Sequence, residues 1–113
     1  HGCILENNVM IGMNAVVMDG ACIGDTAFVA AMAFVKAGFK VPPRTLVGGI
    51  PAKIMRDLSD EDIAWKTAGT HEYQAMAKRF VETLTPVDPL PAPEAGRPRL
   101  AVEGRAPLYK SKE

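Results

Sequence analysis

From Leu5 onward the chain places an aliphatic residue at every sixth position: Leu5, Ile11, Val17, Ile23, Val29, Val35, Val41 and Val47. The fifth position of each hexad is mostly small, as in Ala15, Ala21, Ala27 and Ala33, and Gly or Ala fills the second position at Gly12, Gly24, Ala30 and Gly48. Simple alternation has a period of two and an α-helix a period of 3.6, so this spacing belongs to neither. A large inward aliphatic, a small inward neighbour and turn-compatible residues between them predict three short strands per triangular coil, about 18 residues a turn. A meander of short strands is the alternative.

The period stops after Ala52. Ser59 then stands where a helix N-cap would, with Asp60, Glu61 and Asp62 crowding the first turn, and this predicts a helix ending near Gly69. A second helix is expected from Thr70, because Tyr73, Met76, Ala77, Phe80, Val81 and Leu84 lie at helical spacing on one face. That face is expected to pack on a coil wall or on a neighbouring subunit rather than to form a ligand groove, and Pro86 ends it. Residues 85–113 contain six prolines and read as a tail, either mobile or strapped across the next subunit. The expected organisation is therefore coils over 1–52, a helical cap over 53–84 and a Pro-rich tail over 85–113.

Thirteen Lys and Arg balance thirteen Asp and Glu over 113 residues, which argues against a basic footprint for nucleic acid or anionic lipid. No apolar run is long enough for a membrane span and no signal peptide is evident, so a cytoplasmic setting is expected. The pattern is running almost from His1, which suggests the later part of a longer protein. Cys3 and Cys22 form no CxxC pair and are expected as free thiols in a reducing compartment.

Candidate chemistry is sparse. Serine occurs only at Ser59 and Ser111, without a nucleophile elbow, which excludes a serine triad within this segment. Phosphate-loop, dinucleotide, HExxH and zinc-ribbon patterns are lacking. His71 reads as a surface residue at a helix start. His1 lies at the mouth of the repeat, and if the period continues back unbroken Asp19 stacks one coil from it, where a carboxylate can orient a ligating imidazole. The simpler reading of Asp19-Gly20 is a corner turn. Cys3 suggests a Cys/His nucleophile or, more simply, an inert inward thiol. Lys36, Lys40, Arg44, Lys53 and Arg56 gather in the last coils, and Lys36, Arg44 and Lys53 are candidates to meet the phosphates of a CoA ester, the alternative being a solvated rim.

The repeat resembles that of left-handed parallel β-helix proteins. The opening His1-Gly2-Cys3, the stretches Ile11 to Ala15, Met18 to Ala21 and Ala33 to Ala37 resemble the gamma-carbonic-anhydrase-like family of hexapeptide proteins. Pro51-Ala52-Lys53, Ala64-Trp65-Lys66, Gly69 to Gln74 and Arg97 to Leu100 are most similar to its phenylacetate-degradation branch. The resemblance implies a left-handed parallel β-helix followed by the two helices and extended tail, and a homotrimer. It also implies a metal ion, usually zinc, at each subunit interface, bound by three histidines. His1 matches one of them, and the other two would precede residue 1. The implied activity is metal-dependent thioesterase action on an acyl-CoA, with the ion activating water for attack on the thioester. The alternatives are CO2 hydration at the same site, a carnitine-operon accessory role in CoA-dependent metabolism, and a trimeric scaffold without metal.

Overall fold

The computed structural model describes residues 1–97. The hexads form coils. Seven two-residue strands, β1 (Ile4–Leu5), β2 (Met10–Ile11), β3 (Val16–Val17), β4 (Cys22–Ile23), β5 (Phe28–Val29), β6 (Phe34–Val35) and β7 (Lys40–Val41), are followed by β8 (Thr45–Gly48), β9 (Lys53–Asp57) and α1 (Asp60–Thr83). Strands three apart in sequence pair in parallel, giving sheets β1-β4-β7, β2-β5-β8-β9 and β3-β6. The register is in phase with the repeat: Leu5 lies beside Ile23 and Ile23 beside Val41, Ile11 beside Val29 and Val29 beside Val47, and Val17 beside Val35. Each aliphatic of the hexad therefore stacks on another, one coil above it.

Those columns are the core. Ala21, Ile23, Ala27, Val29, Ala33, Val35, Val41, Val47 and Ala52 are buried together, with Cys3, Val9, Ala15, Val17 and Phe39 packed against them. Full burial of a Val or Ile side chain stabilises by roughly 1.5–3 kcal/mol, so the large inward position carries most of the drive and the small one lets the three walls approach. In the first coil Leu5 and Ile11 occupy the same columns but stay partly exposed, because in this chain no coil covers them.

The corners have their own rule. Every sixth residue from Gly2 to Arg44 takes a positive φ, namely Gly2, Asn8, Asn14, Gly20, Thr26, Met32, Gly38 and Arg44. A left-handed residue turns the chain sharply between extended strands, and Gly and Asn adopt it most readily. Asp19-Gly20 is one such corner.

Two expectations are corrected beyond Ala52. Residues 53–57 do not begin the helical cap: they form β9, antiparallel to β8, and turn the chain back over the last coil. One helix of 24 residues, Asp60–Thr83, replaces the two expected, and it passes through Gly69 and Thr70 without a break. A helical glycine costs only about 1 kcal/mol relative to alanine, and no proline stands there to remove a backbone donor, so the helix continues.

The chain divides into two compact units, residues 1–69 and the part from Thr70 onward. In the first unit Ser59 caps α1 as expected: the Asp62 amide donates to Ser59 Oγ at 3.1 Å and the Ser59 amide donates to Asp62 Oδ2 at 3.0 Å. Arg56 donates to both carboxylate oxygens of the fully buried Asp62, at 2.6 and 3.2 Å. The start of α1 also meets the coil corner formed by Asn8, Thr26 and Arg44. Arg44 pairs with Asp60 at 2.6 Å, Lys66 Nζ donates to Asn8 Oδ1 at 2.7 Å, and Asn8 Nδ2 donates to Thr67 Oγ1 at 3.1 Å. Seven helical residues rise about 10 Å, and two coil steps of about 4.8 Å cover the same height, so these contacts can form together.

In the second unit Tyr73, Phe80, Val81 and Leu84, expected on one apolar face, are exposed among the described residues. Residues 84–97 carry no helix or strand, and the tail positions Leu100, Val102, Leu108 and Tyr109 lie outside the described residues. Among the described residues no helix is long and apolar enough to cross a membrane.

Candidate functional site

His1, Asp19 and Ala37 occupy equivalent places one coil apart, each just before a corner glycine, Gly2, Gly20 or Gly38. Backbone hydrogen bonds hold this corner together: the Gly20 amide donates to Gly2 O and the Gly38 amide to Asp19 O, each at 2.9 Å. The unbroken period brings Asp19 to His1, and Asp19 Oδ1 is hydrogen-bonded to His1 Nδ1. Asp19-Gly20 is thus a corner turn whose carboxylate also holds an imidazole.

An ionised carboxylate has no proton to give, so in the neutral imidazole Nδ1 donates and Nε2 keeps its lone pair. This is the arrangement that prepares a histidine to bind a metal through Nε2, with tautomer and ring orientation set by the carboxylate. The His1 side chain is 93% exposed and Asp19 58%, so Nε2 faces outward. The donor set fits one ligand of a metal site: no group of three His, Cys, Asp or Glu suited to an ion occurs among the described residues. His71 lies exposed on α1 in the second unit. Cys3 packs partly buried against the core, and Cys22 Sγ lies 4.0 Å from Glu6 Oε1; both thiols are free.

The cationic residues of the last coils differ in setting and partners. Lys36 follows β6 on the way to the Gly38 corner, Arg44 stands at the Asn8-Thr26 corner, and Lys53 lies opposite Gly48 in β9. Arg44 is engaged with Asp60, and Arg56 with Asp62, whose hydrogen bonds raise the Arg56 guanidinium above the ordinary arginine range. Lys36 and Lys53 are exposed and carry no ion pair among the described residues.

Residue-by-residue reading of the sequence passes over Gly2. A Cβ built there would stand 2.9 Å from Asp19 Oδ1, so the carboxylate rests where a side chain would be. The signal was present as Gly2, Gly20 and Gly38 at a spacing of one coil.

Residues 2–37 match the bacterial transferase hexapeptide family (six repeats). The chain is 51% identical over 100 residues to a carnitine operon protein, CaiE, of Proteus sp. (strain LE138), covering 88% of this chain and 51% of that protein. Among solved structures it is similar to a Bacillus cereus protein described as a provisional acetyltransferase, with 35% identity, TM-score 0.71, and coverage of 73% of this chain and 48% of the other. A hexapeptide transferase family protein from Anaplasma phagocytophilum gives 31% identity, TM-score 0.68, and coverage of 71% and 48%. The chain spans about half the length of the curated relative it matches. The phenylacetate branch expected from Trp65-Lys66 and Gly69 to Gln74 is not supported, since the curated relatives carry the carnitine operon name instead. Over residues 2–37 the coils thus share the repeat of the bacterial transferase hexapeptide family, and they are similar in fold and sequence to these hexapeptide proteins.

Proposed function

We propose that the complete protein is an acyl-CoA-handling enzyme of carnitine metabolism. In this reading it is a homotrimer in which His1 is one of three imidazole ligands to zinc, or a similar divalent ion, at each subunit interface. The observation that carries the site is the His1–Asp19 hydrogen bond, which fixes the ring and leaves Nε2 available. The carnitine assignment is supported by the 51% identity to a carnitine operon protein. The acyl-CoA assignment is supported by the acetyltransferase description of the Bacillus cereus structure.

When bound, such an ion lowers the pKa of coordinated water and polarises an acyl oxygen, chemistry suited to a thioester. The chain's own residues have narrower roles. His1 ligates, and Asp19 sets its tautomer and orientation. Lys36 and Lys53 are available to CoA phosphates, whereas Arg44 would first have to leave Asp60.

The test uses the complete protein. Metal per subunit is measured, and thiol release and acyl transfer are followed with CoA thioesters of quaternary-ammonium acids, each with and without chelator. Phenylacetyl-type thioesters and CO2 hydration serve as comparisons. The expected result is chelator-sensitive turnover of the quaternary-ammonium thioesters. Less than about a tenth of an ion per subunit would reject the metal site, and turnover confined to either comparison would reject the carnitine assignment.

A further inference from the structure

We infer that Gly2 is a positioning residue whose missing side chain forms the seat for the Asp19 carboxylate and thereby sets the tautomer of His1. Backbone conformation alone does not call for glycine at this corner. Gly2 has a φ of 60°, and the equivalent corners are turned by Asn8, Asn14, Thr26, Met32 and Arg44 at φ between 52° and 62°. The chain thus tolerates side chains in this conformation at five other corners.

The environment separates Gly2 from the glycines stacked with it. A Cβ on Gly20 would find its nearest neighbours at 4.0 Å, and one on Gly38 would find nothing within 4 Å. A Cβ on Gly2 would meet Asp19 Oδ1 at 2.9 Å and Asp19 Cγ at 3.6 Å. Oδ1 is also the atom bonded to His1 Nδ1. A methyl group at residue 2 must therefore displace the oxygen that holds the imidazole, whereas the same change at residue 20 or 38 strains the backbone and leaves that oxygen alone.

The inference refines the site in the proposed function, and its test is read without metal. In the complete, metal-stripped protein, the 15N shifts of the His1 ring report which nitrogen carries the proton in the neutral imidazole. Wild type should show the Nδ1–H form. Gly2→Ala and Gly2→Asn should shift His1 toward the Nε2–H form preferred by an unconstrained imidazole, while Gly20→Ala and Gly38→Ala, which impose comparable backbone strain, should leave it unchanged. An unchanged tautomer in both Gly2 variants would overturn the inference, as would an equal shift in the Gly20 and Gly38 variants. Loss of folding in both Gly2 variants would also overturn it, because the glycine would then serve the coil itself. A wild-type protein that binds no metal would reject the proposed function and leave this result standing.

Discussion

Asp62, with no exposed surface, is bound by Arg56 through both carboxylate oxygens and receives the Ser59 amide and hydroxyl as well. A single buried carboxylate thus ties the reversing strand β9 to the cap of α1. Removing it leaves Arg56 without its partner and the first turn of α1 without its reciprocal cap. Asp62→Ala should therefore lower stability by about 2–4 kcal/mol, and Arg56→Ala by a comparable amount, since it leaves the buried carboxylate without its charge partner. Urea denaturation of the two variants checks this; a loss under about 0.5 kcal/mol for Asp62→Ala would show that the pair contributes little.

Inward and outward positions of the repeat should differ sharply. Val29 is fully buried and stacked between Ile11 and Val47, while Val16 on β3 is half exposed. Val29→Ala should cost about 2–3 kcal/mol and Val16→Ala under about 1 kcal/mol. Thermal denaturation of both variants gives the comparison, and equal losses would contradict the inward assignment.

Burial lowers the Lys66 ammonium below the ordinary lysine range. The folded state then holds this proton less firmly than the unfolded state, so the charged form costs stability at neutral pH. That cost is relieved as pH rises through the lowered value towards the ordinary lysine value of about 10.4. Wild type should gain stability relative to Lys66→Met across this alkaline window. A difference that stays flat from about pH 8 to pH 10.5 would show that Lys66 titrates normally.

At the proposed site, Asp19→Asn keeps the shape of the side chain but replaces the carboxylate with an amide. Loss of such an orienting partner typically weakens metal binding about 10- to 100-fold. Competition with a chelator of known affinity, in the complete protein, measures the change, and His1→Ala should weaken binding further. Unaltered affinity in Asp19→Asn would remove Asp19 from the site.

The coils were legible because their cause is periodic: Leu5 to Val47 are a chemical pattern that only stacked hexads bury, and the phase fixes which residues meet one coil apart. The His1–Asp19 contact follows from that phase and needed only an unbroken period back to His1. Strand β9 was not legible, since Lys53, Ile54, Met55, Arg56 and Asp57 are all exposed and leave no alternation to read. The single helix was misread at Gly69-Thr70, where a modest propensity cost resembles a stop followed by a cap.

Because α1 touches Arg44 through Asp60 and Asn8 through Lys66 and Thr67, the start of the helix works as a gauge of how many coils it straddles. Splicing one extra hexad triplet between those corners would raise the upper anchor by about 4.8 Å, the rise of roughly three helical residues. A lengthened solenoid would therefore need its docking partners moved from Lys66 and Thr67 to positions near Gly69 and Thr70, so coil number and helix sequence cannot vary independently.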